Sequence, residues 1–107
     1  MTQTIQINCN CPEQEVAATI ADALITSKLA ACVNILPAVA SIYHWQGNVE
    51  QDTEFQLQIK TTMELYSLVE DKLLELHPYD VPEIIALPII SGHQPYLDWI
   101  KESTKAL

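Results

Sequence analysis

The fold follows from one stretch, residues 32–60, which reads CVNILPAVASIYHWQGNVEQDTEFQLQIK. Apolar and polar residues alternate on both sides of Gly47-Asn48, and this pattern predicts two strands joined by a tight turn. Pro37 interrupts the first strand, which indicates an edge position or a bulge. Each strand is about 12–14 residues long, roughly twice the usual length. Such a hairpin overhangs its own sheet and leaves edges to cover, so we expect a homo-oligomer.

The segments before and after this hairpin alternate between strand and helix. Residues 4–9 alternate as a strand, and the apolar spacing after Pro12 predicts a helix that runs to about Lys28. Residues 61–64, Thr-Thr-Met-Glu, resemble a capping box that opens a second helix. The buried stripe of that helix is predicted at Leu65, Leu68, Val69, Lys72, Leu73 and Leu76.

A connector with two prolines, residues 77–82, leads to an apolar strand over residues 84–90 and a third helix from Pro95. The order β-α-β-β-α-β-α contains the split βαβ arrangement. We therefore predict an α+β, ferredoxin-like sandwich (βαββαβ plus a C-terminal helix) with an extended hairpin between the second and third strands. Right-handed crossovers give the strand order 4-1-3-2 with helices on one face. Residues 1–107 are expected to form one domain.

The charge balance narrows the possible partners. The chain has 14 acidic and five basic residues, a net charge of −9, and no arginine. This charge repels nucleic acid and anionic membrane surfaces, so we expect neither as a partner. Enzymes that clamp phosphate with a guanidinium are excluded as well. The N-terminus, MTQTIQINCN, lacks the basic and apolar regions of a secretory signal, and we expect a cytoplasmic protein. Metal cations, small molecules and other proteins remain.

Cysteine and histidine residues form the first candidate site. The three cysteines are expected to be reduced, and they serve either as small buried hydrophobes or as ligands for a soft metal. The predicted strand order brings Cys9 and Cys11 to the edge of the sheet where His77 lies. We place Cys32 and residues 60–61 at the same edge, which would then collect sulfur, imidazole and ammonium groups.

Each of these residues also has a purely structural explanation. Cys9 and Cys32 suit buried strand positions, and His77 suits a surface connector. Cys11 suits a helix N-cap, where the helix dipole lowers the pKa of a thiol. The chain has no CxxC or HxxxH spacing of the kind that marks a zinc site.

The second candidate site lies on the polar face of the third strand and at the hairpin tip. Tyr43, Trp45, Glu54 and Lys60 can line a small-molecule pocket where subunits meet. In the alternative interpretation, Tyr43 and Trp45 pack an interface while Glu54 pairs with Lys60. Glu54 and Lys60 also have the chemistry of a general acid and base. Nothing in the sequence supplies a nucleophile or a cofactor site beside them, so we expect no enzymatic activity.

Several motifs resemble those of the CutA family. They occur in the right order and with the right separations over nearly the whole chain, and this joint occurrence is specific. The motifs are Lys28-Leu-Ala-Ala-Cys-Val-Asn-Ile, Pro37, Ser41-x-Tyr43-x-Trp45-x-Gly47, Glu54-x-x-Leu57-x-x-Lys60-Thr61, His77-Pro78-Tyr79 followed by Pro82-Glu83, and Tyr96-Leu-x-Trp99.

The resemblance implies a very stable homotrimer of ferredoxin-like subunits, similar to the PII signalling proteins. It also implies copper binding, which in some members uses a cysteine late in the first strand and a His-His pair before Pro-Tyr. These positions are Cys9, Leu76 and His77 here. Leu76 cannot bind metal, but Cys11 can supply a missing ligand. The sequence thus predicts a trimeric copper- or divalent-cation-binding protein of metal tolerance or homeostasis. The alternative is a PII-like module that holds a small molecule between subunits.

Overall fold

A computed structural model describes residues 2–107 and shows four strands and three α-helices. The strands form one antiparallel sheet in the order β2-β3-β1-β4, which confirms the predicted ferredoxin-like arrangement. In chain order the elements are β1 (Thr4–Cys11), α1 (Gln14–Thr26), β2 (Cys32–Trp45), β3 (Asn48–Thr62), a 3₁₀ turn (Met63–Leu65), α2 (Tyr66–Leu76), β4 (Ile84–Pro88) and α3 (Gln94–Glu102).

Strand β1 lies between β3 and β4 and turns alternate side chains toward the core, as the period of two requires. The odd-numbered side chains of β1 and their partners on β3 are buried against α1 and α2. Burial of these apolar side chains is the main favourable contribution to folding. The core consists chiefly of Ile5, Ile7, Cys9, Cys11, Ala17, Ile20, Leu24, Leu57, Ile59, Val69 and Leu73.

The opposite face of the sheet carries amide side chains. Gln6 donates a hydrogen bond to the side chain of Asn8 (2.9 Å), and Gln56 donates to that of Asn10 (3.1 Å). Gln58 in turn donates to Gln56 (3.1 Å). The two faces of this sheet therefore differ in chemistry, one being a packed apolar core and the other a hydrogen-bonded polar surface.

The hairpin of β2 and β3 extends beyond the rest of the sheet. Strand β1 pairs with β3 only as far as Phe55, so residues 39–54, which we call the hairpin arm, form a two-stranded ribbon. The predicted irregularity at Pro37 is confirmed, because the register shifts between Leu36 and Val39. The turn is centred on Gln46 and Gly47, one residue earlier than the predicted Gly47-Asn48; both have positive φ, 48° and 81°.

Three element boundaries differ from the prediction. Helix α1 ends at Thr26 rather than about Lys28, since Lys28 is left-handed with φ 60°. Residues 61–62 do not form a capping box, because they stay in β3 and pair with β1. The buried Thr61 hydroxyl instead donates a 2.6 Å hydrogen bond to the carbonyl of Leu29. Strand β4 ends at Pro88, two residues before the predicted end at residue 90.

Helix α3 packs beside the start of β1 and the end of β3. Lys101 and Thr104 line a shallow cleft there together with Thr62, and the backbone N–H of Lys105 donates to the carbonyl of Lys28 (2.9 Å). Pro95 lies in the first turn of this helix, as predicted. Across residues 2–107, the described helices are too short or too polar to cross a membrane.

Candidate metal centre

Strand β1 brings Cys9 and Cys11 side by side. The strand continues through Cys11, which pairs with Phe55, so the two residues point to the same face. Both side chains are fully buried, with 0% exposure. The interpretation of Cys11 as a helix N-cap is wrong, because Glu13 occupies that position. A residue that precedes a proline favours extended backbone, and this keeps Cys11 in the strand before Pro12.

His77 follows the last residue of α2 and returns to the end of β1. Its side chain is 7% exposed, so the interpretation as a surface connector residue is also wrong. The Nδ1 atom accepts a hydrogen bond from the backbone N–H of Tyr79 (3.1 Å). The Nε2 atom lies 2.7 Å from the backbone oxygen of Asn10. Because Nδ1 accepts, the ring proton is on Nε2, which donates to Asn10.

The three side chains form a compact cluster of potential ligands. The sulfur atoms of Cys9 and Cys11 and a ring nitrogen of His77 all lie within 4.8 Å of one another. Thiolate sulfur and imidazole nitrogen are donors for soft and borderline metals, whereas hard ions prefer oxygen. The donor set therefore fits copper in its reduced state better than magnesium or calcium.

The two thiols of the cluster differ in acidity. Hydrogen bonding with Cys11, burial and nearby negative charge raise the pKa of Cys9 far above its ordinary value. The hydrogen bond from Cys9 lowers the pKa of Cys11, against the opposing effects of burial and the Glu54 carboxylate. Of this pair, Cys11 is therefore the thiol that ionises first and Cys9 is the one that keeps its proton.

Comparison with known proteins places this site in a family context. Residues 5–103 match the protein family described as "CutA1 divalent ion tolerance protein". The chain belongs to the CutA1 family. The divalent-cation tolerance protein CutA of Thermus thermophilus is 53% identical over 93 residues, which cover 87% of this chain and 90% of that relative.

Relatives and solved structures of the CutA1 family extend the similarity. Protein CutA of Homo sapiens is 43% identical over 97 residues, or 91% of this chain. That match covers 54% of the human protein, so this chain spans about half the length of that relative. The crystal structure of CutA1 from Shewanella sp. SIB1 superposes with a TM-score of 0.94 at 45% identity and covers 97% of each chain.

The ligand positions implied by the CutA resemblance were Cys9, Leu76 and His77. Leu76 is the last residue of α2, and its side chain packs against the core. It offers no ligand atom, as the sequence indicated. In this chain the third donor of the cluster is Cys11 instead.

Other residues predicted for the same edge lie elsewhere. Lys60 pairs with Gln6 and also with Cys32, while Thr61 pairs with Ile5. Because β3 is antiparallel to β1, the end of β3 meets the start of β1 rather than its end. The prediction that Cys32 and residues 60–61 share an edge with the candidate metal centre is therefore wrong.

The second candidate site is spread along the hairpin. Tyr43 donates a hydrogen bond to Asp52 within the hairpin arm, and Trp45 lies next to the turn, where it is 53% exposed. Glu54 is only 8% exposed and lies at the base of the arm. Within one chain, Tyr43, Trp45 and Glu54 do not enclose a pocket, and a pocket formed between subunits stays a prediction.

The predicted pairing of Glu54 with Lys60 is wrong. The two residues are six positions apart on β3, which corresponds to about 20 Å along a strand. Glu54 accepts a long hydrogen bond (3.5 Å) from the side chain of Asn10. Lys60 donates to the side chain of Asn34 at the other end of the sheet.

Several residues around the candidate metal centre were not predicted from the sequence. Asn10 and Tyr79 fix the orientation of His77 through backbone groups. Glu83 and Glu54 place negative charge near Cys9 and so contribute to its raised pKa. The signal available for Tyr79 was the proline between it and His77, since such turns let a side chain accept from the backbone two residues on. The carbonyl of Asn10 has no signal of its own in the sequence.

Proposed function

We propose that this chain is a copper- or divalent-cation-binding protein that acts in metal tolerance or homeostasis, with Cys9, Cys11 and His77 as the metal site. The observation that carries the proposal is the approach of these three donors to within 4.8 Å. The divalent-cation tolerance name of the Thermus thermophilus relative supports the same role. Copper is preferred over a hard divalent ion because the donors are sulfur and nitrogen.

A bound copper ion would be held by side chains that are already positioned. Cys9 and Cys11 are fixed by strand pairing, so little ordering of these two residues accompanies binding. His77 would release one of its two hydrogen bonds to offer a nitrogen lone pair. The acidic composition of the chain also favours cations over anions at long range, because its net charge is −9.

We further propose that the protein is a homotrimer. The radius of gyration of one chain is 14.3 Å, compared with about 13 Å for a compact domain of this length. The excess reflects the hairpin arm, which exposes Ile42, Trp45 and Val49. A two-stranded ribbon is marginally stable alone in water, and apolar side chains on it are typical of an interface. Light scattering on the purified protein would give 36 kDa for a trimer of 12.0 kDa chains.

The metal proposal is tested by anaerobic titration of the protein with Cu(I) against a competing chelator. The wild type, Cys9→Ala and the control Cys32→Ala are compared. One site per chain that is lost in Cys9→Ala and kept in Cys32→Ala supports the proposal. If the wild type fails to compete with the chelator, or if Cys9→Ala binds equally well, the proposed metal site is wrong.

A PII-like binding module is the second candidate function. It is favoured by Glu54, a residue that is only 8% exposed and whose carboxylate accepts a long 3.5 Å hydrogen bond from Asn10. A largely buried carboxylate is stabilised when a positively charged or hydrogen-bonding group pairs with it. Contacts between subunits are common places for ligands that supply such a group. A panel of amino acids, nucleotides and polyamines is tested for a thermal shift of the metal-free protein. A shift that Glu54→Gln removes supports this function, and the absence of any shift argues against it.

The remaining expectations complete the proposal. We propose that the protein binds its ligand without catalysis, that it acts in the cytoplasm, and that neither nucleic acid nor a membrane is its partner. The last point is supported by the net charge of −9. Incubating the purified trimer with labelled duplex DNA and with anionic vesicles at low salt tests it, and no retention of either is expected.

A further inference from the structure

A shallow cleft lies beside helix α3, at the end of the sheet opposite the candidate metal centre. Its walls carry Thr62, Glu64, Lys101 and Lys105. Thr62 pairs with the first residue of β1, which lies about 23 Å along the strand from Cys11, the last residue. We propose that this cleft, called the α3 cleft below, binds hydrogen phosphate. The inference is independent of the proposed metal-binding function.

The first observation is a pair of lysines on the α3 cleft. The chain has five basic residues against 14 acidic ones. Within residues 2–107 neither Lys101 nor Lys105 forms a salt bridge, since the ion pair there joins Lys72 and Glu75. The backbone N–H of Lys105 donates to the carbonyl of Lys28 (2.9 Å), and this contact fixes the segment that carries the second ammonium group. Two ammonium groups without a carboxylate partner on one cleft favour an anionic ligand.

The second observation is the hydroxyl of Thr62. This residue is only 4% exposed, and its side chain makes no hydrogen bond within residues 2–107. Among the fully enclosed polar side-chain atoms of those residues, none lacks a hydrogen-bond partner. The hydroxyl of Thr62 is therefore not enclosed, and it opens into the cleft that this residue lines. A largely buried hydroxyl is stabilised by a hydrogen bond, so Thr62 adds a third donor to the two lysines.

Two effects that oppose an anion are weak at the α3 cleft. The end of a helix carries partial negative charge on its last carbonyls. Here the hydroxyl of Thr104 donates to the carbonyls of Ile100 (3.0 Å) and Lys101 (3.2 Å), which reduces that charge. The net charge of −9 acts over only about 8 Å at physiological salt. The lysines that line the cleft therefore dominate its electrostatics.

Glu64 determines which anion fits. Its Oε1 atom accepts a hydrogen bond from the hydroxyl of Thr2 (2.6 Å), and Oε2 can accept another from a ligand. A carboxylate repels a fully deprotonated anion such as sulfate, but it accepts a hydrogen bond from an anion that keeps an O–H group. Inorganic phosphate keeps a P–OH near neutral pH, whereas a phosphate monoester loses its last such proton with a pKa of about 6. Three donors and one acceptor thus match the four oxygens of hydrogen phosphate.

The size of the α3 cleft agrees with a small ligand. Its volume is about 130 Å³, which accommodates the five heavy atoms of a phosphate. Pockets for larger ligands begin at roughly 300 Å³. The cleft therefore suits the free anion better than a nucleotide or a sugar phosphate.

The first experiment measures binding of labelled phosphate to the metal-free protein by equilibrium dialysis, slightly above neutral pH. The wild type, Lys101→Gln, Lys105→Gln and the control Lys72→Gln are compared. Each variant removes one positive charge, but Lys72 lies on α2. We expect each cleft variant to weaken binding by about tenfold, the effect of one charge-assisted hydrogen bond. The control should stay within about twofold of the wild type, because distant exposed charges are screened.

The α3 cleft is not a phosphate site if the wild type binds no phosphate. The same conclusion follows if Lys72→Gln weakens binding as much as the two cleft variants do. All three lysines lie at exposed positions, so the variants are expected to fold, and circular dichroism of each one checks this.

The second experiment tests the role of Glu64 by competition. Sulfate and glycerol phosphate should displace labelled phosphate from the wild type only at about tenfold higher concentration or more, because each leaves the carboxylate without a donor. In Glu64→Gln the amide can donate to either anion, so sulfate should compete as well as phosphate. Equal displacement by sulfate or by the monoester in the wild type, or unchanged selectivity in Glu64→Gln, would overturn the choice of hydrogen phosphate. These outcomes leave the Cu(I) titration, and with it the metal proposal, unaffected.

Discussion

The imidazole of His77 donates a 2.7 Å hydrogen bond to the backbone carbonyl of Asn10, a residue 67 positions earlier in the chain. This contact joins the connector after α2 to the end of strand β1. It also holds the histidine against Cys9 and Cys11, so the geometry of the candidate metal centre depends on it. A single contact of this kind can be tested by its effect on stability as well as on binding.

Replacing His77 by alanine is expected to lower the free energy of unfolding by about 1–3 kcal/mol, because the substitution leaves the buried carbonyl of Asn10 without its donor. Urea denaturation of metal-free protein, with a chelator present and at one protein concentration, measures this loss. The matched control is His93→Ala, which changes an exposed histidine and should stay within about 0.5 kcal/mol of the wild type. Equal small losses in the two variants would contradict the prediction.

Thr61→Val tests the buried hydroxyl of Thr61, which was predicted to belong to a capping box and instead lies in β3. Valine keeps the shape of the side chain but removes the donor to the carbonyl of Leu29, which Thr61 contacts at 2.6 Å. We expect a loss of about 1–3 kcal/mol in urea denaturation. Thr53→Val, on the exposed hairpin arm, is the control and should change stability little. The prediction fails if the exposed substitution costs as much as the buried one.

The hairpin turn predicts opposite effects for two neighbouring substitutions. Gln46 has φ 48°, a left-handed conformation that asparagine adopts more readily, so Gln46→Asn should stabilise the protein by about 0.5 kcal/mol. Gly47 has φ 81°, and a Cβ there meets no atom within 4 Å. Gly47→Ala should therefore destabilise by about 1 kcal/mol through backbone strain alone. Thermal unfolding of both variants beside the wild type shows whether the shifts have opposite signs.

Alkaline titration tests the contact between Tyr43 and Asp52. The hydrogen bond to Asp52 raises the pKa of Tyr43 to about 12. Because the folded pKa exceeds the unfolded value of about 10, the stabilisation is complete below pH 10 and is lost as the pH rises through 12. Asp52→Asn should move the last step of the tyrosinate absorbance titration toward pH 10. Asp71→Asn, an exposed substitution, should leave the curve unchanged, and a similar shift in both variants would contradict the assignment.

The order and pairing of the strands were predictable because the patterns are long and regular. Alternation over residues 49–60 defined one strand, and crossover handedness then fixed the order β2-β3-β1-β4. The end of the sheet at which each residue lies was harder to predict from the sequence. Lys60 was placed beside Cys9, although antiparallel pairing puts it opposite Gln6. That error aligned the end of β3 with the end of β1, as in a parallel pair, whereas β3 runs antiparallel to β1.

The metal centre was only partly predictable for a related reason. Cys9, Cys11 and His77 were candidates from the sequence, but the burial of His77 and its two hydrogen bonds arise from contacts between distant segments. The proline after Cys11 was the local signal that the strand continues, since it disfavours helical backbone at the preceding residue. The interpretation of Cys11 as a helix N-cap did not take this signal into account.

The inner position of β1 has a consequence for the newly made chain. Its first neighbour, β3, is complete at Thr62, but its second neighbour, β4, ends at Pro88. Twenty-six residues separate these two ends, and at ~5–20 residues per second their synthesis takes roughly 1–5 s. During that interval one edge of β1, beside Cys9, has no strand to pair with and is open to other chains. The ribosome therefore has to synthesise the chain through Pro88 before the sheet can close.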